Sequence, residues 1–414
     1  MSKRFKEGSN INMEVVILKR IVILLLTLLI LFALAGCKEP TIALSSSGAK
    51  GTITLSWETS DAKNLTSYYI YRGTNPTSLS KIATVAASGN TYKDSAVADG
   101  VLYYYHVTAF GKKESQPSNQ ICNMHGTRLT EADTGADFTT TVDDSPYVVE
   151  NKVSFAGDLD ILENTQLYVM PGAKVVFEKA TAASIYVERG LFVIRGTKAN
   201  PIYFSSTGGG YELRMVLAAE GSQFDYTEFR DLAGTSDTRS VTISSCSPTI
   251  SRCRFIDRAD ANATTASLYS SGANITNCFF GGLDLKIEDS VVSTLNIESN
   301  IFVDNGTALM FGNYTTNPPE TGMIHNNAFE CNGTSVNNYY SADLSIVSWT
   351  SATTVFPLGG NYFFRSDIYN TALTEQGDFF VYYDSLCPNQ TFNFDDLLTT
   401  HPTGIGPGWG TLPF

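Results

Sequence analysis

Ile250-Ser-Arg-Cys253-Arg-Phe255, Ile275-Thr-Asn-Cys278-Phe-Phe280, Ile297-Glu-Ser-Asn300-Ile-Phe302, Ile324-His-Asn-Asn327-Ala-Phe329 and Leu358-Gly-Gly-Asn361-Tyr-Phe363 are five copies of one pattern. Each has an apolar residue, two variable positions, Cys or Asn, one variable position and Phe. A looser copy, Phe224-Asp-Tyr-Thr227-Glu-Phe229, comes first, and successive copies start 26, 25, 22, 27 and 34 residues apart. A repeat of this period marks a solenoid with one supersecondary unit per repeat. Alternation of apolar and polar residues around the motif argues strand rather than helix. The expected unit is therefore one coil of a parallel β-helix.

The Cys/Asn slot has a physical reading. Equivalent residues in stacked coils lie about 4.8 Å apart. At that spacing buried Asn amides hydrogen-bond upward and downward in a ladder, and Cys fills the same slot as a small apolar residue. The predicted ladder is Cys253, Cys278, Asn300, Asn327 and Asn361, with the Phe two residues later forming an inward column. Strands of a β-sandwich have no reason to repeat this slot chemistry.

Upstream, Met170-Pro-Gly-Ala-Lys-Val175-Val-Phe177 and Leu191-Phe-Val-Ile-Arg-Gly196-Thr-Lys-Ala-Asn-Pro201-Ile-Tyr-Phe204 place a tight Pro-Gly turn and an Asn-Pro restart between extended runs. These stretches, with the Cys/Asn-x-Phe ladder, resemble right-handed parallel β-helix surface lipoproteins of the pectin-lyase-like superfamily. The resemblance implies the right hand and a solenoid over residues 148–414, of roughly ten coils. Residues 335–357 break the period and read as a loop, and Trp409 in the Gly/Pro-rich end reads as a cap on the last coil.

Short strands with turn signals fill residues 42–123: Ile53-Thr-Leu-Ser-Trp57, Tyr69-Ile-Tyr71, Ile82-Ala-Thr-Val85 and Tyr103-Tyr-Tyr105-His-Val107. The order resembles a fibronectin type III domain. The resemblance puts Trp57 at a core position and Tyr103 at a tyrosine corner, and implies a spacer. Residues 124–147 are polar and read as a linker or cap. The expected fold class is all-β: a fibronectin type III β-sandwich followed by a right-handed parallel β-helix.

Lys19-Arg20, the apolar run Ile21–Ala35 and Leu34-Ala-Gly-Cys37 have the layout of a secretory leader. The last four residues resemble a bacterial lipobox, which implies a signal peptide over 1–36, diacylation at Cys37 and a lipidated tether over 37–41. Lys38 after the Cys favours an outer-membrane or cell-surface lipoprotein of a bacterial envelope, held to the membrane by acyl chains. Six further cysteines (Cys122, Cys246, Cys253, Cys278, Cys331 and Cys387) form no CxxC metal motif. Cys253 and Cys278 are expected as free buried thiols on adjacent coils.

The net charge of −13 becomes −16 once residues 1–36, with five basic and two acidic groups, are removed. That disfavours nucleic acid as a partner. The catalytic motifs of the superfamily are missing: there is no Arg-x-Pro-x-x-Arg and no Gly-His-Gly, and Asp143-Asp144 and Asp395-Asp396 lie near opposite ends of the solenoid. Histidine spacing offers no metal site, and no cofactor is expected.

One charged constellation remains. Arg252 and Arg254 flank Cys253 and are expected outward, with Asp257, Arg258 and Asp260 following, and Asp284, Lys286 and Glu288 alternate one coil later. Paired carboxylates there admit Ca²⁺, and Arg254, Asp284 and Glu288 are the candidate catalytic groups. The competing reading is a solvated outer face. The leading expectation is a lipid-anchored surface protein with a non-catalytic role in binding polysaccharide or another envelope component. The alternatives are a polysaccharide lyase or glycoside hydrolase, and a structural surface-layer element.

Overall fold

The computed structural model describes residues 39–131, 136–234, 239–257, 264–288, 293–303, 309–312, 322–331, 344–347, 354–357, 361–365, 371–372, 381–383, 390–393, 403–404 and 406–408. The leader, Cys37, Arg258, Asp260, Asp395-Asp396, Cys387 and Trp409 lie outside them, as does the side chain of Cys331. Among the described residues, no helix is long and apolar enough to cross a membrane. The chain divides into two compact units, one holding most of the residues up to Asn123 and the other Met124 onward with two short earlier segments.

The first unit has seven strands: β1 (Ile42–Ala49), β2 (Thr52–Thr59), β3 (Ser67–Asn75), β4 (Ser78–Ala86), β5 (Thr91–Asp94), β6 (Tyr103–Phe110) and β7 (Ile121–Asn123). They form a three-stranded sheet, β1-β2-β5, and a four-stranded sheet, β4-β3-β6-β7. Period-2 alternation sends Ile53, Leu55, Trp57, Tyr68, Ile70, Tyr105 and Val107 inward. Trp57 packs edge-on against Tyr68 at 5.2 Å. The buried carboxylate of Asp94 accepts from Tyr105 Oη at 2.9 Å and pairs with Arg72 Nη1 at 2.8 Å, so this interior charge is compensated.

The second unit is a parallel β-solenoid with three strands per coil. The first ladder is a nine-stranded sheet running from Thr127–Arg128 to Ile324–His325. The second runs from Lys152–Phe155 through Ile202–Ser206, Arg254–Asp257 and Ile301–Val303 to Tyr362–Arg365. The third runs from Phe138–Thr139 through Leu159–Ile161, Tyr211–Val216, Arg239–Ser244 and Leu283–Glu288 to Val381–Tyr383. The expected β-helix is the fold observed. Thr127–Arg128 and Phe138–Thr139 already pair with the next coil, so strands are laid down within the stretch read as linker or cap. Residues 335–357 are not all loop: Leu344–Val347 continues the third ladder, and Thr354–Pro357 pairs in parallel with Gln390–Asn393.

Registers explain the core. On the first ladder Ile250, Ile275, Ile297 and Ile324 stack in one column, each at most 2% exposed. On the second, Phe204, Phe229, Phe255, Phe280, Phe302 and Phe329 stack with centroids 5.0, 4.9, 5.0, 4.8 and 4.8 Å apart. The last four contacts are nearly coplanar stacks of 8–9°. These separations equal the coil rise, so each ring fills the space that its neighbours leave.

The slot residues sit at the corner between the first and second ladders, and all five of Cys253, Cys278, Asn300, Asn327 and Asn361 are fully buried. The residue before each of the first four takes a left-handed conformation: Arg252 (φ 53°), Asn277 (54°), Ser299 (60°) and Asn326 (56°). That turn aims the slot side chain along the solenoid axis. Asn327 Nδ2 donates to Asn361 Oδ1 (3.0 Å) and Ile297 O (2.9 Å), while its Oδ1 accepts from Asn300 N (2.9 Å) and Asn300 Nδ2 (3.0 Å). Cys278 N donates to Asn300 Oδ1 at 2.8 Å, and Cys253 N to Cys278 Sγ at 3.4 Å. The ladder therefore runs unbroken through the change from Asn to Cys.

Cys253 and Cys278 are unbridged, as are Cys246 and the exposed Cys122. Burial pushes the Cys246 thiol up to about 11 and that of Cys253 well above its usual range. Iodoacetamide at mild alkaline pH should therefore alkylate Cys122 in the folded protein and leave Cys246, Cys253 and Cys278 unmodified until denaturant is added, as read by peptide mapping. Labelling of Cys253 as fast as Cys122 would mean that the column is open.

Corner lengths differ by position. Between the first and second ladders the corner is four residues (170–173) and then six (196–201) in early coils, and settles at two in the four successive coils that carry the slot (252–253, 277–278, 299–300, 326–327). The segments on either side of the third ladder range from one residue (Gly282) to twelve (332–343). Over the coils that carry the slot, the variable segments thus border the third face.

Candidate functional site

The charged constellation read from the sequence falls on two faces. Arg254 and Asp257 belong to the second ladder and Arg252 to the corner before it, whereas Asp284, Lys286 and Glu288 belong to the third. Alternation does turn Arg254 away from the core, but it is 4% exposed and not solvated. Its Nη1 pairs with buried Glu228 Oε2 at 2.8 Å, and Arg230 Nη2 holds the other oxygen at 2.8 Å. Burial lowers the Arg254 pKa, and the Glu228 carboxylate opposes it. Arg252, half-exposed, forks onto Asp225 with Nε–Oδ1 3.1 Å and Nη2–Oδ2 3.3 Å. Asp257 lies beside Gly282, where an added Cβ would come within 3.0 Å of its own Cβ.

The bare outer face expected here is corrected for physical reasons: Arg254 is buried by its ion pair with Glu228 and by the Phe279 ring of the next coil, and further along the face chain outside the coil packs on it. Next to Arg254, outward Phe279, Ile301 and Val303 form a small apolar cluster of their own, at most 5% exposed. Gly406 N donates to Ser299 O at 2.9 Å, and a Cβ at Gly406 would lie 2.7 Å from Ile301 Cδ1. A segment near the C-terminus thus lies along the second face.

Asp284 and Glu288 are 5% and 0% exposed. Lys286 Nζ lies 2.6 Å from Glu288 Oε1, and Arg239 Nε is 3.9 Å from Oε2. The Glu288 carboxylate already has cationic neighbours, which argues against its acting as a calcium ligand. Among the described residues no group of three or more His, Cys, Asp or Glu is placed to hold a metal ion.

The third face carries a better-formed site. A groove of about 320 Å³ is lined by Glu212, Arg214, Val216, Arg239, Thr242, Ser244 and Tyr269. Three successive strands supply it, Tyr211–Val216, Arg239–Ser244 and Thr264–Tyr269. Inward Leu213, Met215, Val241, Ile243, Ala266 and Leu268 fix which residues point outward. Register places Arg214 beside Thr242 and Ser244 beside Tyr269.

Each arginine is paired with a tyrosine ring: Arg214 lies 5.6 Å from the Tyr186 centroid and Arg239 5.2 Å from that of Tyr269. A guanidinium over a ring holds a fixed plane and still directs N–H donors sideways. Glu212 accepts from Ser184 Oγ at 3.2 Å. The site thus offers donors, an acceptor carboxylate, two hydroxyls and ring surface, with a volume at the small end of ligand clefts. Sequence reading missed it because Arg214, Arg239 and Tyr269 belong to no repeated motif. The available signal was the outward half of the alternation in Tyr211–Val216 and Arg239–Ser244.

No protein-family model matches the chain, and no curated protein matches it. Solved structures similar to it include a pectate lyase from Erwinia chrysanthemi in complex with tetragalacturonic acid, 11% identical over 85% of this chain and 100% of that one, with a TM-score of 0.19. A pectate lyase from Pectobacterium carotovorum is 11% identical over 86% and 100%, with a TM-score of 0.19. A Fn3-like protein from Clostridium thermocellum is 28% identical over 21% of this chain and 92% of its own, with a TM-score of 0.18. TM-scores this low carry no argument, and the fold rests on the strand pairings described above.

Proposed function

We propose that this chain is a lipid-anchored protein of a bacterial cell surface whose β-helix binds polysaccharide, without cleaving it, in the groove on the third face. The observation that carries the reading is the pair of arginine–tyrosine units, Arg214 with Tyr186 and Arg239 with Tyr269, facing one polar groove. Sugars present alternating hydroxyls and C–H faces, which suit planar donors and aromatic rings set side by side. Acylation at Cys37 would hold the protein to the membrane.

The test is affinity electrophoresis of the full chain through gels containing neutral or acidic polysaccharides, with a reducing-end assay on the same polymers. Retention is expected on at least one polymer, with no release of ends. The double variant Arg214→Ala/Arg239→Ala should weaken retention about tenfold or more while its urea midpoint stays unchanged. Retention that survives the double variant would sink the site. Release of ends that stops in Glu212→Gln would favour the lyase or hydrolase reading instead.

A further inference from the structure

The first unit has a concave site of its own, at the end where its described chain begins. A cavity of about 330 Å³ is lined by Glu39, Pro40, Lys63, Leu65, Lys112 and Lys113 among others. Its carboxylates are engaged. Glu39 pairs with Lys113, Glu114 accepts from Tyr71 Oη at 2.7 Å and Thr108 Oγ1 at 2.5 Å, and Asp61 accepts the Lys63 amide N–H at 2.9 Å. The three lysines themselves are exposed.

We propose that this end is a membrane-facing surface that seats against anionic phospholipid headgroups. Lys63, Lys112 and Lys113 meet the phosphates, and Pro40 and Leu65 reach into the headgroup layer. The inference rests on acylation of Cys37 as proposed above. Two steps of chain, through Lys38, carry Cys37 to Glu39, a reach of about 7 Å at most. That is within the Debye length of about 8 Å at physiological salt. An acyl anchor therefore holds this end of the unit close to the bilayer.

The distribution of lysines makes the same choice, the cavity's three carboxylates, Glu39, Asp61 and Glu114, each being engaged by a neighbour. The chain carries −13 overall, so an anionic surface repels most of it. Three of the five described lysines of this unit line this cavity, the other two being Lys81 and Lys93. The exposed Glu39–Lys113 pair is a weak contact that exchanges readily for a phosphate. Long lysine stems keep their ammonium groups at the level of the headgroups.

The full chain, produced with its own leader, should be reconstituted into vesicles containing equal phosphatidylglycerol and phosphatidylcholine, and separately into neutral detergent. Lysine acylation by a water-soluble amine-reactive ester is then read by peptide mapping. Lys63, Lys112 and Lys113 should react about fivefold more slowly on the vesicles, Lys93 and Lys174 should be unchanged, and high salt should remove the protection. Equal rates at all five lysines would overturn the surface. The mass of the N-terminal peptide tests the anchor separately. If Cys37 carries no diacylglyceryl group, the anchor fails; protection of the three lysines on anionic vesicles would still support the surface, and its absence would sink it.

Discussion

Phe302→Ala should cost about 3–5 kcal/mol of stability, in the range for a large aromatic removed from a close-packed core. Phe302 is fully buried, and both faces of its ring are covered, by Phe280 and Phe329, each at 4.8 Å. Truncation forfeits two stacking contacts and leaves a void that the coil rise prevents from closing, because backbone hydrogen bonds fix the spacing of the coils on either side. In a solenoid each coil contacts only its neighbours. Hydrogen exchange should therefore rise around Cys278–Gly281 and Ile324–Phe329 and remain slow around Val153–Phe177. Urea unfolding with exchange mass spectrometry measures both. Phe302→Leu, which keeps most of the volume, should recover more than half of the loss. A midpoint shift of Phe302→Ala equivalent to less than about 1 kcal/mol would contradict the stacked column.

Asn327→Ala should be comparably damaging for a different reason. Its Nδ2 donates to Ile297 O, and its Oδ1 serves both the backbone N–H and the side chain of Asn300. Removing it takes the acceptor from both the Asn300 N–H and the Asn300 side-chain amide in a site with no solvent access, at about 1–3 kcal/mol for each orphaned group. The expected loss is about 3–5 kcal/mol, read from the urea midpoint. Asn300→Cys should be milder, because Cys278 already shows that a thiol in this slot accepts the N–H of the coil before it, at 3.4 Å from Cys253 N. If Asn327→Ala were no worse than an exposed Asn→Ala change, the ladder would be ornamental to stability.

These two columns are also what was legible in the sequence. Asn300, Asn327, Phe280 and Phe302 recur at nearly constant spacing because each sits where one coil must match the next, so the stacking constraint prints itself as a repeat. The groove on the third face was not legible for the complementary reason. Arg214, Arg239 and Tyr269 occur once each, and they meet only because the register sets Arg214 beside Thr242 and Ser244 beside Tyr269. That register depends on the lengths of the intervening corners, which follow no pattern. Arg254 misled in another way. Alternation gives the direction of a side chain but not what lies beyond it, and the segment around Gly406 turns part of the second outer face into a second interior.

The two-residue corner that carries Cys253, Cys278, Asn300 and Asn327 has a consequence for how such a molecule can change over evolutionary time. Over the coils that carry the amide ladder, one edge behaves as a spine: its length cannot change there without breaking the ladder. The other two edges are uncommitted, having already accommodated anything from one residue to twelve. Mutation can therefore lengthen, shorten or exchange segments beside the third face while the scaffold keeps its register. New recognition loops can be tried there at little risk to folding, and a designer who wished to display a foreign peptide would splice it at those edges and leave the spine untouched.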